Sequence, residues 1–195
     1  MSSRNAILHA IRENQPKVET LPDITQPDYA LTFRPTEKFA EVLTAIGGRV
    51  ILVDETDDLK VVIKQAFGED AVIVSVIDEL PFKPIFPPGT EDPHVLESVD
   101  IALMKAQFGV SENGAVWVTE AQYKVRAFPF ICQHLAVVLS QSQIVPYMHQ
   151  AYQKISGQLY GFGVFIAGPS KTADIEQSLV LGAHGPKTMT VFLTP

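Results

Sequence analysis

Short runs of consecutive apolar residues, rich in Val and Ile, recur along this chain between stretches of helical periodicity. Arg49–Val53 (RVILV), Ala71–Val76 (AVIVSV), Ala115–Thr119 (AVWVT), Ala136–Leu139, Phe162–Ala167 (FGVFIA) and Met189–Leu193 are the clearest. A strand with one wet face alternates apolar and polar residues. A run that is apolar at nearly every position belongs to a strand covered on both faces, as in a parallel sheet between helices. The intervening stretches supply the helices. Thr36 starts one, with Phe39, Val42, Leu43 and Ile46 as its buried stripe and Gly47-Gly48 as its end. Asp57 can cap another that runs to Phe67 and stops at Gly68. Pro146–Ser156 reads as a third, with Val145 and Pro146 at its start. The expected fold class is therefore α/β, a mostly parallel sheet flanked by helices.

The chain has 195 residues, enough for one domain with a sizeable core. Met1–Asn14 is polar and helical in pattern, capped by Ser2 or Ser3, with Ile7, Leu8 and Ile11 on one face. Such a helix is peripheral and suited to docking on a partner or a second copy. Gln15–Pro35 carries four prolines and reads as an extended arm. The expected division is residues 1–35 as helix and arm, and residues 36–195 as one α/β domain. Leu80–Pro93, with five prolines, is irregular, and Ile101–Val110 is apolar but mixed.

The formal net charge of −7 argues against non-specific nucleic-acid binding, which needs clustered Lys and Arg, although a local basic pocket remains compatible with it. The N-terminus lacks the apolar core of a signal peptide, and no apolar run approaches the roughly 20 residues of a membrane span. The expected location is the cytoplasm. Cys132 is the sole cysteine. It permits no internal disulfide, no four-thiolate iron–sulfur cluster and no cysteine-rich zinc site in this chain. Its apolar setting, Phe128–Leu139, marks it as a buried small hydrophobe.

Polar chemistry concentrates in the last third. Gly168-Pro169-Ser170-Lys171-Thr172-Ala173-Asp174-Ile175-Glu176 is followed by Leu181-Gly182-Ala183-His184-Gly185-Pro186. Two Gly/Pro turns thus bracket a segment dense in hydroxyls and carboxylates, a composition typical of binding loops. Two readings of Ser170–Glu176 stand side by side. Backbone N–H groups at a helix start, with the Ser170 and Thr172 hydroxyls and Lys171, would hold an anion. Alternatively, Ser170 or Thr172 caps a short helix whose first turn Asp174 or Glu176 stabilises. His184, beside Gly185, is either an acid–base group near neutral pH or a turn histidine bonded to backbone.

Ser111-Glu112-Asn113-Gly114 lies between apolar strands, and Asn-Gly there is a strong hairpin signal because the turn needs positive φ. A carboxylate held on such a turn, Glu112, is exposed and oriented. Thr119 and Glu120 end the following strand, where open α/β sheets face their ligand crevice. Arg126 is able to bind a carboxylate bidentately, and Glu120 is equally able to pair with Lys124 or Arg126 as a surface ion pair. Glu112, Glu120, Asp174 and His184 show no tight metal-ligand spacing, so no metal site is assigned. His9, His94 and His149 read as surface or packing residues.

The tail Gly168–Pro186 (GPSKTADIEQSLVLGAHGP) resembles the LUD family, that of lactate-utilisation protein C (LutC, YkgG). Glu112-Asn113-Gly114-Ala115-Val116-Trp117-Val118, Arg126 and His134-Leu135-Ala136-Val137-Val138 fit the same family, so the resemblance spans about Asp100–Leu193. It implies a Rossmann-like sheet related to the NagB/RpiA/CoA transferase-like fold. It implies a part in bacterial oxidation of L-lactate to pyruvate beside iron–sulfur partner proteins; a homodimer is a separate possibility, raised by the N-terminal helix. No cofactor follows for this chain. The pocket so implied takes a small anionic metabolite or a phosphate-bearing ligand. Glu112, Asp174 and His184 would be its catalytic candidates. Asn113, Thr119, Glu120, Arg126, Ser170, Lys171, Thr172, Glu176 and Gly185 would be its binding candidates. Glu112 is expected to face the tail loop across one crevice. Ser-Glu-Asn-Gly also resembles the active-site motif of CoA transferases, where the glutamate attacks an acyl-CoA. A stand-alone enzyme using Glu112 and a non-catalytic assembly subunit are therefore the alternative functions.

Overall fold

A computed structural model describes residues 3–20, 32–80, 82–84, 92–123, 125–173 and 179–195. The chain divides into two units, Met1–Ala30 and Leu31–Pro195. In the first, α1 (Ser3–Glu13) buries none of its residues, and Ile7, Leu8 and Ile11 stay exposed along one stripe.

The second unit opens with α2 (Pro35–Ala45). Proline at its first turn costs nothing, because that N–H has no partner in a helix anyway. Phe39 and Leu43, one turn apart, are its fully buried residues. Next come β1 (Arg49–Leu52), α3 (Leu59–Phe67) and β2 (Ile73–Ser75). The cap of α3 is Asp58, whose carboxylate accepts from the Lys60 N–H, and not Asp57 as expected. Asp57 instead turns back to accept from the Asp54 N–H. Both neighbours are aspartates, so composition alone did not decide between them.

A 3-10 turn (Pro93–Ser98) leads to β3 (Ile101–Lys105) and β4 (Phe108–Val110), two strands inside the stretch read as mixed. β5 (Ala115–Thr119), α4 (Glu120–Tyr123), α5 (Phe128–Ile131) and β6 (His134–Ser140) follow. The chain continues with β7 (Ile144–Val145), α6 (Met148–Ile155), β8 (Gly163–Ile166), β9 (Lys171–Ala173), β10 (Leu179–Leu181) and β11 (Thr188–Thr194).

Five strands form one sheet in the order β1-β11-β6-β3-β2, and every neighbouring pair is parallel. Its central strands are covered on both faces. Leu135, Val137 and Leu139 of β6 join one core with α2, Tyr123 and Phe128. Ala136 and Val138 join a second core with Ile63 of α3. This double burial is why the strands read as unbroken apolar runs.

A second sheet, β7-β4-β5-β8, was not foreseen as a separate layer. β5 runs antiparallel to both β4 and β8, while β7 is parallel to β4. Val116 and Val118 of β5 face the shared core, and Trp117 points the other way, to Phe108, Ala151 and Ile155 under α6. β9 and β10 form an antiparallel hairpin of their own, Thr172 opposite Val180. No helix among the described residues is long and apolar enough to cross a membrane.

Candidate functional site

The two halves of the tail bracket are joined by backbone. The Ser170 N–H donates to the Pro186 carbonyl (2.9 Å), and the Gly182 N–H donates to the Ser170 carbonyl (3.0 Å). A β-carbon on Gly185 would stand 3.2 Å from the Ser170 Cβ and 3.4 Å from its hydroxyl oxygen. A side chain at 185 would press on Ser170, so glycine there eases the close approach of the two turns. At the entry to β11, the Lys187 N–H donates to Gln133, and the His134 ring meets the Thr188 hydroxyl at 2.8 Å.

Between these turns lies a cavity of about 310 Å3. One wall is apolar: Pro129 and Phe130 of α5, with Phe165, Ile166 and Ala167 along and after β8. The rim is polar: Ser170, Lys171, His184 and Gly185. Of the twelve candidates, these four are brought together. The lining contains an ammonium and an imidazole but no carboxylate among the described residues. Neither the Ser170 hydroxyl nor the His184 ring has a hydrogen-bond partner among those residues, and His184 is exposed. Lys171 is committed on one side. Its ammonium donates to the Ile46 carbonyl, just past the C-terminus of α2, where a cation suits the helix dipole.

Both sequence readings of this loop assumed a helix start, and the structure corrects them. Lys171–Ala173 is a strand paired with Leu179–Leu181, so neither a helix N-terminus nor a helix cap exists at Ser170. The Leu-Val-Leu run supplies a pairing partner, and pairing satisfies the backbone groups that a helix start would leave free. Thr172 sits in that hairpin and does not line the cavity. Asp174 and Glu176 lie outside the described residues.

Glu112 goes elsewhere. The β4–β5 hairpin exists, closed by the four residues 111–114, with Gly114 at φ 66° and its N–H bonded to the Val110 carbonyl. The Asn113 side chain accepts from the Ala115 N–H (3.0 Å), an Asx turn. The Glu112 carboxylate accepts from the Met148 N–H (2.7 Å) at the first residue of α6. It therefore serves a helix N-terminus beside β7, at the opposite edge of the second sheet from β8. Among the described residues, Glu112 does not line the cavity that Ser170, Lys171, His184 and Gly185 share.

Thr119, Glu120 and Arg126 form a third group, at the other end of β5. The Thr119 hydroxyl donates to Gln122 (2.9 Å) and accepts from Gln107 (3.3 Å). Arg126 donates through Nε to Glu120 (2.9 Å) and stacks 5.3 Å from the centre of the Phe162 ring. The adjoining Tyr123 hydroxyl is buried with no partner among the described residues. Desolvation raises its pKa, the Glu120 charge adds to this, and Arg126 partly offsets it. Among the described residues no three His, Cys, Asp or Glu side chains are placed to hold a metal ion.

The residues that sequence reasoning missed are the apolar ones. Phe130 and Phe165 read as core, yet they wall the cavity, and Phe130 is partly exposed. A clue lay in Phe128-Pro129-Phe130: two aromatics around a proline leave one side chain over when only the other is buried.

The LUD domain family matches residues 90–194, just over half of the chain. Lactate utilization protein C of Geobacillus kaustophilus is 31% identical over 104 residues, covering 50% of this chain and 43% of the relative. The protein of the same name from Shouchella clausii is 34% identical over 96 residues, 46% of this chain and 42% of the relative. The uncharacterized protein YkgG of Escherichia coli K12 is 30% identical over 104 residues, 50% of this chain and 45% of the relative. The matches thus span less than half the length of these curated relatives. Among solved structures, a DUF162 family protein from Deinococcus radiodurans superposes with a TM-score of 0.63 at 14% identity. It covers 83% of this chain and 96% of that one, a likeness of fold.

Proposed function

The chain belongs to the LUD domain family, and from that premise we propose that it serves in lactate utilisation, holding a small carboxylate such as lactate or pyruvate between the tail turns. The observation that carries this reading is the cavity rim. Ser170 and His184 offer polar groups with no partner among the described residues, Lys171 offers positive charge, and among those residues no carboxylate lines the cavity. A cavity of about 310 Å3 is at the small end of ligand sites, matched to a metabolite of a few heavy atoms. The apolar wall of Phe130 and Phe165 accommodates a methyl group, and the polar rim takes the carboxylate. His184 is then placed to exchange a proton with a hydroxyl or keto oxygen at the ligand's second carbon.

Electrons released from lactate need an acceptor. With Cys132 as its sole cysteine, this chain has no four-thiolate set of its own, so iron–sulfur clusters would belong to partner proteins. The test is calorimetric titration of the purified chain with L-lactate, pyruvate and inorganic phosphate. Binding of a monocarboxylate at about 1 mM or tighter is expected, weakened about tenfold or more by Ser170→Ala with His184→Ala. The same double variant should fail to restore growth on lactate to a strain lacking the gene. Full growth with that variant, or a titration blind to it, would overturn the assignment.

A further inference from the structure

Asn113-Gly114 is the sole Asn-Gly pair in the chain. The pair that marks a tight turn is also chemically labile. The backbone nitrogen that follows an asparagine can attack the asparagine's own side-chain carbonyl carbon. Glycine in second place hinders that attack least, having no β-carbon and the widest backbone freedom. The attack still has a requirement. The backbone nitrogen must give up its proton and swing onto the carbonyl carbon, so both groups have to move.

In the folded hairpin both are held. The Gly114 N–H donates to the Val110 carbonyl (3.0 Å). The Asn113 side-chain oxygen accepts from the Ala115 N–H (3.0 Å). Gly114 is buried at φ 66°, and even a β-carbon on it would stand 2.9 Å from the Leu43 backbone. The turn therefore has no space in which to rearrange. The strands that flank it, β4 and β5, are buried at every position. Freeing the pair means parting the turn from α2 or unzipping the hairpin.

We propose that Asn113 is a modification site that folding closes and that opening of the β4–β5 hairpin unlocks. The inference is independent of the carboxylate site. In the opened turn the Gly114 nitrogen loses its proton to solvent and bonds to the Asn113 side-chain carbonyl carbon. The bond to the side-chain nitrogen breaks, and ammonia leaves. A cyclic imide now joins the two residues. Water adds to one of its two carbonyl carbons and reopens the ring. One product is an ordinary aspartyl residue. The other is an isoaspartyl residue, in which the main chain runs through the former side chain and is longer by one methylene. Gly114 already abuts the Leu43 backbone, so the longer turn cannot reseat against α2. Both products also place a second carboxylate next to Glu112. The reaction thus runs one way and withdraws from the native pool the copies whose hairpin has opened.

The test incubates the full chain in mildly alkaline buffer, folded and in urea above its unfolding transition. Mass spectrometry of the peptide that holds residues 111–114 follows aspartyl and isoaspartyl formation. Asn113 should react at least about tenfold more slowly in the folded chain, the factor that roughly 1.4 kcal/mol of opening free energy imposes. Exchange of the Gly114 amide hydrogen needs the same opening, so the two rates should rise together as urea is added below the transition. Isoaspartyl chains, once returned to native buffer, should melt at a lower temperature than unmodified ones. Equal rates in the folded and unfolded chain overturn the inference. So does a folded-state rate that stays flat while Gly114 exchange accelerates, or an isoaspartyl chain that melts like the unmodified one.

Discussion

Removing the Glu112 carboxylate tests what that residue is for. The first four N–H groups of a helix lack internal partners, and in α6 one of them, at Met148, is satisfied by Glu112 at 2.7 Å. Losing a side-chain cap costs about 1 kcal/mol. Roughly 0.3–1 kcal/mol of a carboxylate's value there comes from the helix dipole, toward the lower figure when the group is exposed and screened, as Glu112 is. Glu112→Ala should therefore destabilise by about 1 kcal/mol, lowering the melting temperature by roughly 2–4 °C in a chain of this size. Glu112→Gln keeps an acceptor oxygen and loses mainly the charge, so it should cost roughly 0.3–0.5 kcal/mol. Urea unfolding followed by the fluorescence of Trp117, the sole tryptophan and 3% exposed, reads both numbers. A nucleophilic glutamate behaves differently: glutamine would abolish any acyl transfer as fully as alanine, whatever the stability. Glutamine as damaging to stability as alanine, or alanine within about 0.3 kcal/mol of wild type, would refute the capping role.

Two further outcomes follow from packing and burial. A β-carbon on Gly114 would stand 2.9 Å from both the backbone N and the Cα of Leu43 at φ 66°, whereas one on Gly68, at φ 93°, meets nothing within 4 Å. Gly68→Ala should cost only the backbone strain, about 1–2 kcal/mol, and Gly114→Ala roughly twice that or more by urea unfolding; equal costs would show that the clash is not real. Burial pushes the Cys132 thiol up to about 12. Because its folded pKa is raised above the ordinary value of 9.0, its stabilising contribution is complete below pH 9 and fades as pH climbs toward 12. Wild type should lose stability relative to Cys132→Ala by about 1.4 kcal/mol per pH unit above pH 9, and parallel curves would contradict that.

What the sequence revealed, and what it hid, follows from how local each signal is. Runs such as Arg49–Val53 and Ala115–Thr119 announced strands because burial on both faces removes every polar position. The same property hid the layering. Trp117 faces α6 and Val116 faces the other core, yet both are simply apolar in sequence. Ile101–Val110 concealed two strands because Lys105-Ala106-Gln107 crosses from one sheet to the other in its middle. The polar rim of the cavity was visible in Ser170, Lys171, His184 and Gly185. Its apolar wall was not, since Phe130 and Phe165 become a wall only through tertiary placement. Ser170 was misread as a helix start because hydroxyl, acid and Gly/Pro punctuation serve helix caps and hairpins alike.

The family match begins at residue 90, yet the site is positioned by residues before it. Two turns press on the C-terminal end of α2. Gly114 leaves no room for a β-carbon beside the Leu43 backbone, a β-carbon on Gly168 would stand 3.2 Å from the Ile46 carbonyl oxygen, and Lys171 donates to that same carbonyl. Pro169 lies against Gly47 in the same place. The Glu112 turn and the tail loop are both registered against one helix end. Residues ahead of the family match thus help to seat the tail hairpin.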